Sequence, residues 1–130
     1  MSFNPRFTVA GVISEPLRIM NLGTDRDRSD AAVELLRAVG LPAECASRGP
    51  RQLSGGEKAR LALARALAAA PQIVILDETL TPLDESTRDR ILALLWQLQT
   101  ERDLSYIIVT HDLDLAASAA AEMVVLGGQQ

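Results

Sequence analysis

Hydrophobic and polar positions divide the chain into a helical first part and an alternating second part. In the first part, apolar residues of 30–39 recur at helical spacing, which predicts an amphipathic helix. Ser29 or Asp30 is expected to cap this helix and Gly40 to end it. A shorter helix is expected within 2–22. The first part is therefore predicted to consist of helices and loops.

In the second part, predicted strands and helices alternate. Residues 73–76 form a continuous β-branched apolar run, typical of a strand that is buried on both faces of a parallel sheet. Next come a helical pattern at 87–99, a strand at 106–109, a short helix at 113–121 and a strand at 123–126. This alternation predicts parallel strands joined by right-handed crossovers, and hence an α/β fold.

The stretch 51–60 joins the two parts and carries the first candidate chemistry. Ser54, Gly55 and Gly56 stand directly before a helical pattern that runs to about residue 70. The free N–H groups and the dipole of a helix start attract anions, and glycines allow a phosphate to approach the backbone. A structural alternative remains open, because Ser54 with Glu57 three residues later is also a capping box.

Composition narrows the choice of partners and compartment. The 130 residues carry a net charge of −4, and aromatic residues make up only 3% of them. Both features argue against a nucleic-acid partner, which would favour basic surfaces and stacking side chains. The lone Cys45 excludes an internal disulfide and fits a reducing cytoplasm. The chain shows neither a signal-peptide pattern nor an uninterrupted apolar span, so it is expected to be soluble.

Polar residues follow both central strands where these end. Asp77 and Glu78 come after the first strand, and His111 comes just after the second. In parallel sheets, ligands bind at the carboxyl ends of strands. One carboxylate could hold Mg²⁺ through water, and its neighbour could orient or deprotonate an attacking water. The alternatives are a solvated strand end, a locally hydrogen-bonded histidine and, for Asp84, a helix cap.

Four motifs in order give these residues a family resemblance. Residues 53–60 resemble the signature motif of ATP-binding-cassette (ABC) ATPases, 73–78 their Walker B strand, 81–84 their D-loop and 107–112 their switch-histidine segment. The opening residues, 2–17, resemble the segment after the Q-loop in ATPases of dipeptide, oligopeptide and nickel importers. The chain is thereby identified as similar to an importer ATPase of this family.

The resemblance implies a P-loop NTPase-type α/β fold in three segments. Residues 1–53 would form most of the helical subdomain, 54–70 the signature helix, and 71–130 the C-terminal part of the ATPase core. The only lysine is Lys58, so no Gly-Lys-Ser/Thr triplet of a P-loop occurs. Walker A is expected upstream of Met1, which would make this chain the C-terminal half of a nucleotide-binding domain.

The resemblance also implies site residues of two kinds. Ser54, Gly55 and Gly56 would contact the γ-phosphate of ATP held by an opposite subunit, and Asp84 would communicate across that dimer. The other residues would serve hydrolysis: Asp77 would support Mg²⁺ through water, Glu78 would be the general base, and His111 would sense or stabilise the γ-phosphate. Thr79-Leu80 replaces the family's usual Pro-Thr, which puts the turn that aims Glu78 in question.

Partners and rival functions follow from the same resemblance. ATP and Mg²⁺ are the expected ligands. A second ATPase subunit or a Walker A half, together with membrane permease subunits, are the expected partners, which would place the chain in the cytoplasm at the inner membrane. Alone, it is expected to be inactive and to associate or aggregate through exposed strands. Two alternatives remain: a non-catalytic module that completes a partner's ATP site, and the C-terminal lobe of a chromosome-maintenance or DNA-repair ATPase head.

Overall fold

The computed structural model describes residues 7–119, which form five α-helices, two short 3-10 helices and one two-stranded sheet. In chain order these are α1 Val9–Ile19, α2 Asp25–Ala38, 3-10 turns at Ala43–Ser47 and Pro50–Gln52, α3 Gly55–Ala68, β1 Ile73–Asp77, α4 Glu85–Arg102, β2 Ser105–Val109 and α5 Leu113–Ala119. The strand predicted at 123–126 lies outside the described residues.

Helix α2 begins earlier than its apolar pattern predicts. The Thr24 hydroxyl accepts from the Asp27 N–H at 3.1 Å, and Asp27 Oδ2 accepts from the Thr24 N–H at 2.9 Å. This reciprocal box satisfies two N–H groups at the helix start, so the predicted cap at Ser29 or Asp30 is wrong. At the other end, Gly40 has a φ of +79°, a left-handed conformation that glycine adopts without strain, and the predicted stop is confirmed.

The two strands are parallel neighbours, as predicted, and Ile75 pairs with Ile107 in the register. Burial alternates along β1: Val74 is 3% exposed, whereas Ile75 is 64% exposed. The prediction that this strand is buried on both faces is therefore wrong for the described residues. Helices within 7–119 cover one face of the sheet, and the other face presents apolar side chains to solvent: Ile73, Ile75, Ile107 and Val109.

Helix α4 connects the paired strands across the covered face. The helical pattern predicted at 87–99 is confirmed, and it carries a buried apolar stripe: Ile91, Leu94, Leu95 and Leu98. Trp96 lies off that stripe, is about half exposed and does not belong to the core. Within residues 7–119, none of the helices combines the length and the apolar character needed to cross a bilayer. The fold thus brings the ends of β1 and β2 side by side.

Candidate functional site

The predicted capping box opens helix α3. The Ser54 hydroxyl accepts from the Glu57 N–H at 3.2 Å, and Glu57 Oε1 accepts from the Ser54 N–H at 2.8 Å. The box satisfies the N–H groups of Ser54 and Glu57. The N–H groups of Gly55 and Gly56 lie in the first turn, where no carbonyl of the same helix can accept from them. The capping role of Ser54 and an anion site at the glycines are therefore compatible.

An open groove of about 370 Å³ lies between the start of α3 and the segment that leads into α4. It is lined by these residues: Ser54, Gly55, Gly56, Glu57, Arg60, Pro82, Leu83, Asp84, Thr87 and Arg90. A Cβ on Gly56 would lie 2.6 Å from Thr87 Cγ2, so α4 approaches the glycine more closely than a larger residue allows. The tertiary fold thereby joins the three signature residues to Asp84.

Asp84 occupies the N-cap of α4, and its Oδ2 accepts from the Thr87 N–H at 3.3 Å. Hydrogen bonds from the Thr87 side chain and backbone hold the pKa of the Asp84 carboxyl below its usual range. The cap interpretation is confirmed in geometry. The same carboxylate also lies on the wall of the groove.

Glu78 and His111 meet at the carboxyl ends of the paired strands. His111 Nδ1 lies 2.6 Å from Glu78 Oε1, and the His111 N–H donates to the same oxygen at 3.1 Å. The His111 side chain is 94% exposed. Parallel pairing of β1 with β2 thus brings together two residues that are 33 positions apart in the sequence.

Two hydroxyl groups complete the surroundings of Glu78, and the sequence patterns predicted a role for neither of them. Thr81 Oγ1 donates to Glu78 Oε2 at 2.6 Å and lies 3.2 Å from Thr110 Oγ1. The bonds from Thr81 and His111 hold the pKa of the Glu78 carboxyl below its usual range. The sequence does show a threonine directly before His111 and another in the loop after Glu78, and these could have indicated hydroxyl partners for the carboxylate.

The backbone also holds Glu78 at this position. Its φ is +57°, a left-handed conformation that is uncommon for a residue with a side chain. Its N–H donates to the Val109 carbonyl at 2.8 Å, which continues the pairing of the strands by one bond. The chain therefore turns sharply at Glu78 while its carboxylate stays against β2. This is the turn that the unusual Thr79-Leu80 sequence put in question.

Asp77 ends β1 with an exposed side chain. Its carboxylate oxygens are of the kind that Mg²⁺ prefers. Among residues 7–119, there is no group of three or more His, Cys, Asp and Glu side chains that could hold a metal ion. Asp77 is therefore not part of a preformed cluster of such metal ligands within this range.

Comparison with known proteins assigns the family. Residues 1–81 match the ABC transporter family model. The nickel import ATP-binding protein NikE of Brucella abortus is 44% identical over 123 residues, which cover 95% of this chain and 46% of NikE. The oligopeptide transport ATP-binding protein OppF of Bacillus subtilis is 43% identical over 115 residues, 88% of this chain and 38% of OppF.

A solved structure supports the same assignment. The dimeric structure of MJ0796, a bacterial ABC transporter cassette, aligns with a TM-score of 0.75 and 33% identity. The alignment covers 91% of this chain and 52% of that cassette, so the chain matches only about half of the cassette and less than half of NikE and OppF. Since the family model matches more than half of its residues and the fold agrees, this chain belongs to the ABC transporter family of ATP-binding proteins.

Proposed function

We propose that this chain is part of the ATP-hydrolysing component of an ABC importer for peptides or a similar solute. The contact between Glu78 and His111 carries the proposal, because it places a carboxylate and an imidazole together at the edge of the sheet where ligands of parallel α/β folds bind. Relatives named for nickel import and oligopeptide transport support an importer. The alternative of a DNA-repair ATPase head gains no support from these relatives.

The groove beside α3 is proposed to receive the γ-phosphate of ATP held by an opposite subunit. Helix α3 directs the backbone of Gly55 and Gly56 into this groove, with the positive end of its dipole behind them. Asp84 on the facing wall is proposed to report the contact across the dimer. This division of roles gives the chain one half of an ATP site.

Asp77, Glu78 and His111 are proposed to act on a second ATP, the one that a P-loop half would bind beside them. When bound, Mg²⁺ would neutralise charge on the phosphates, and Asp77 would support it through water. Glu78 would orient the attacking water and accept its proton. His111 occupies Oε1 of Glu78 with two contacts, whereas Oε2 accepts a single bond from Thr81, so Oε2 keeps acceptor capacity for the water.

Magnitudes indicate that the chain alone should not turn over ATP. A helix start contributes about 0.3–1 kcal/mol toward an anion, and about 2 kcal/mol when partly buried. Even millimolar affinity requires about 4 kcal/mol. The sequence holds no Gly-Lys-Ser/Thr triplet to supply the difference. We therefore propose that a P-loop-bearing partner completes the ATP site. As in an importer, membrane permease subunits would hold the assembled ATPase at the cytoplasmic side of the membrane.

Phosphate release tests the proposal when the chain is mixed with a separately expressed P-loop half of a related importer ATPase. We expect negligible release from the chain alone and turnover from the mixture, which Glu78→Gln abolishes. Glu101→Gln, an exposed glutamate on α4, is the matched control and should keep the turnover. If Glu78→Gln has no effect but Gly55→Asp stops turnover, the chain only completes a partner's site. The absence of turnover in every mixture would refute the proposal.

A further inference from the structure

We propose that Thr81 and Thr110 are positioning residues, which form a directed hydroxyl chain that holds Glu78 and, through it, sets which ring nitrogen of His111 carries the proton. The inference rests on the proposed function only in the importance it gives to Glu78 and His111. Its basis is a set of hydrogen bonds that connects the loop after β1 to the segment after β2.

Hydrogen counting fixes the direction of this chain. An ionised carboxylate can only accept, so the single hydroxyl hydrogen of Thr81 is committed to Glu78 Oε2 at 2.6 Å. At the 3.2 Å contact between the two threonines, Thr110 must then be the donor. Thr110 in turn accepts from the Asp112 N–H at 3.0 Å. The bonds therefore run from Asp112 through both threonines to Glu78, each polarising the next.

The far end of the hydroxyl chain is anchored. Asp112 Oδ2 lies 3.1 Å from Arg88 Nη1, and Asp112 Oδ1 accepts from the Leu115 N–H at 3.1 Å. The side chains of Arg88 and Asp112 are 19% and 32% exposed, so this pair is partly shielded from solvent. The anchor ties the segment after β2 to the first turn of α4, the helix that also borders the groove.

At its other end, the chain determines the state of His111. With Oε2 held by Thr81, the second oxygen of Glu78 is aimed at His111 Nδ1 and at the His111 N–H. A ring nitrogen 2.6 Å from a carboxylate carries the proton, which leaves the outward Nε2 of the neutral ring as an acceptor. Loss of the Thr81 hydroxyl would remove the bond to Oε2, and loss of the Thr110 hydroxyl would remove the donor that orients Thr81, so either change would weaken this constraint.

The tautomer of His111 tests the inference directly, because His111 is the only histidine in the chain. Long-range ¹H–¹⁵N NMR on the whole chain, at a pH where the ring is neutral, distinguishes Nδ1–H from Nε2–H. We expect Nδ1–H to predominate in the wild type. Thr81→Val and Thr110→Val should shift the mixture toward that of Glu78→Ala, in which the acceptor is absent. Thr81→Ser and Thr110→Ser should restore the wild-type tautomer.

The matched control is Thr79→Val, which changes a neighbouring threonine of the same loop whose hydroxyl takes no part in this chain. It should leave the tautomer unchanged. Where a valine variant does not fold, as judged by circular dichroism, the alanine variant replaces it. An unchanged tautomer in both valine variants, with a shift in Glu78→Ala, would overturn the positioning role. A wild type without predominant Nδ1–H would overturn it as well. Since neither ATP nor a partner is present, these outcomes are independent of the turnover assay.

Discussion

Replacement of Gly56 by alanine tests whether helix α4 sets the identity of the second signature glycine. A Cβ at this position would lie 2.6 Å from Thr87 Cγ2, whereas carbon atoms in contact prefer about 3.5–4.0 Å. Overpacking of this kind costs about 1–3 kcal/mol, and the exchange of a helical glycine for alanine returns about 0.5–1 kcal/mol. We expect Gly56→Ala to lower the free energy of unfolding by about 0.5–2 kcal/mol.

Urea unfolding followed by circular dichroism measures this loss, and two further variants identify its cause. Gly55→Ala is the matched control, because its Cβ would meet Leu83 Cδ2 at an ordinary 3.5 Å, so no loss is expected. Thr87→Ser removes the obstructing methyl group and keeps the hydroxyl, so the double variant should recover stability. The reasoning fails if Gly56→Ala is as stable as the wild type, or if Thr87→Ser does not couple to it.

Three further predictions concern the rest of the fold. Hydrogen bonding at the start of α2 lowers the pKa of Asp27, so its stabilising contribution is present above the ordinary aspartate pKa of about 3.9 and is lost as the pH falls through the lowered value. Asp27→Asn should therefore destabilise at pH 7, and its thermal midpoint should converge on that of the wild type in acid. Ile75 and Ile107 are exposed side by side, so the chain should self-associate and bind a hydrophobic dye. The double variant Ile75→Thr/Ile107→Thr should show less association in sedimentation. An unchanged distribution of species would contradict association through this face of the sheet. Leu98→Ala should cost about 2–5 kcal/mol in urea unfolding, because Leu98 is fully buried; Trp96→Ala, at a half-exposed position on the same helix, should cost much less, and equal losses would contradict the assigned core.

Most of the fold class and the site inventory could be predicted from the sequence, because the signals are local. Ser54 and Glu57 are three residues apart, as a capping box requires, and the apolar run of β1 is continuous. The predicted start of α2 at Ser29 or Asp30 is wrong, although the true start also has a local signal. Thr24 and Asp27 form a local box as well, but it lies in a polar stretch that hydrophobic periodicity does not detect.

The sequence by itself determined the order of the motifs, the capping box at Ser54 and the parallel strands that end in candidate catalytic residues. Only the tertiary structure decided what those residues contact. The bonds of Glu78 to His111 and of Thr81 to Thr110 join positions 33 and 29 residues apart, and the contact of Gly56 with Thr87 depends on how two helices pack. Such contacts arise from strand register and helix packing, which local patterns do not encode.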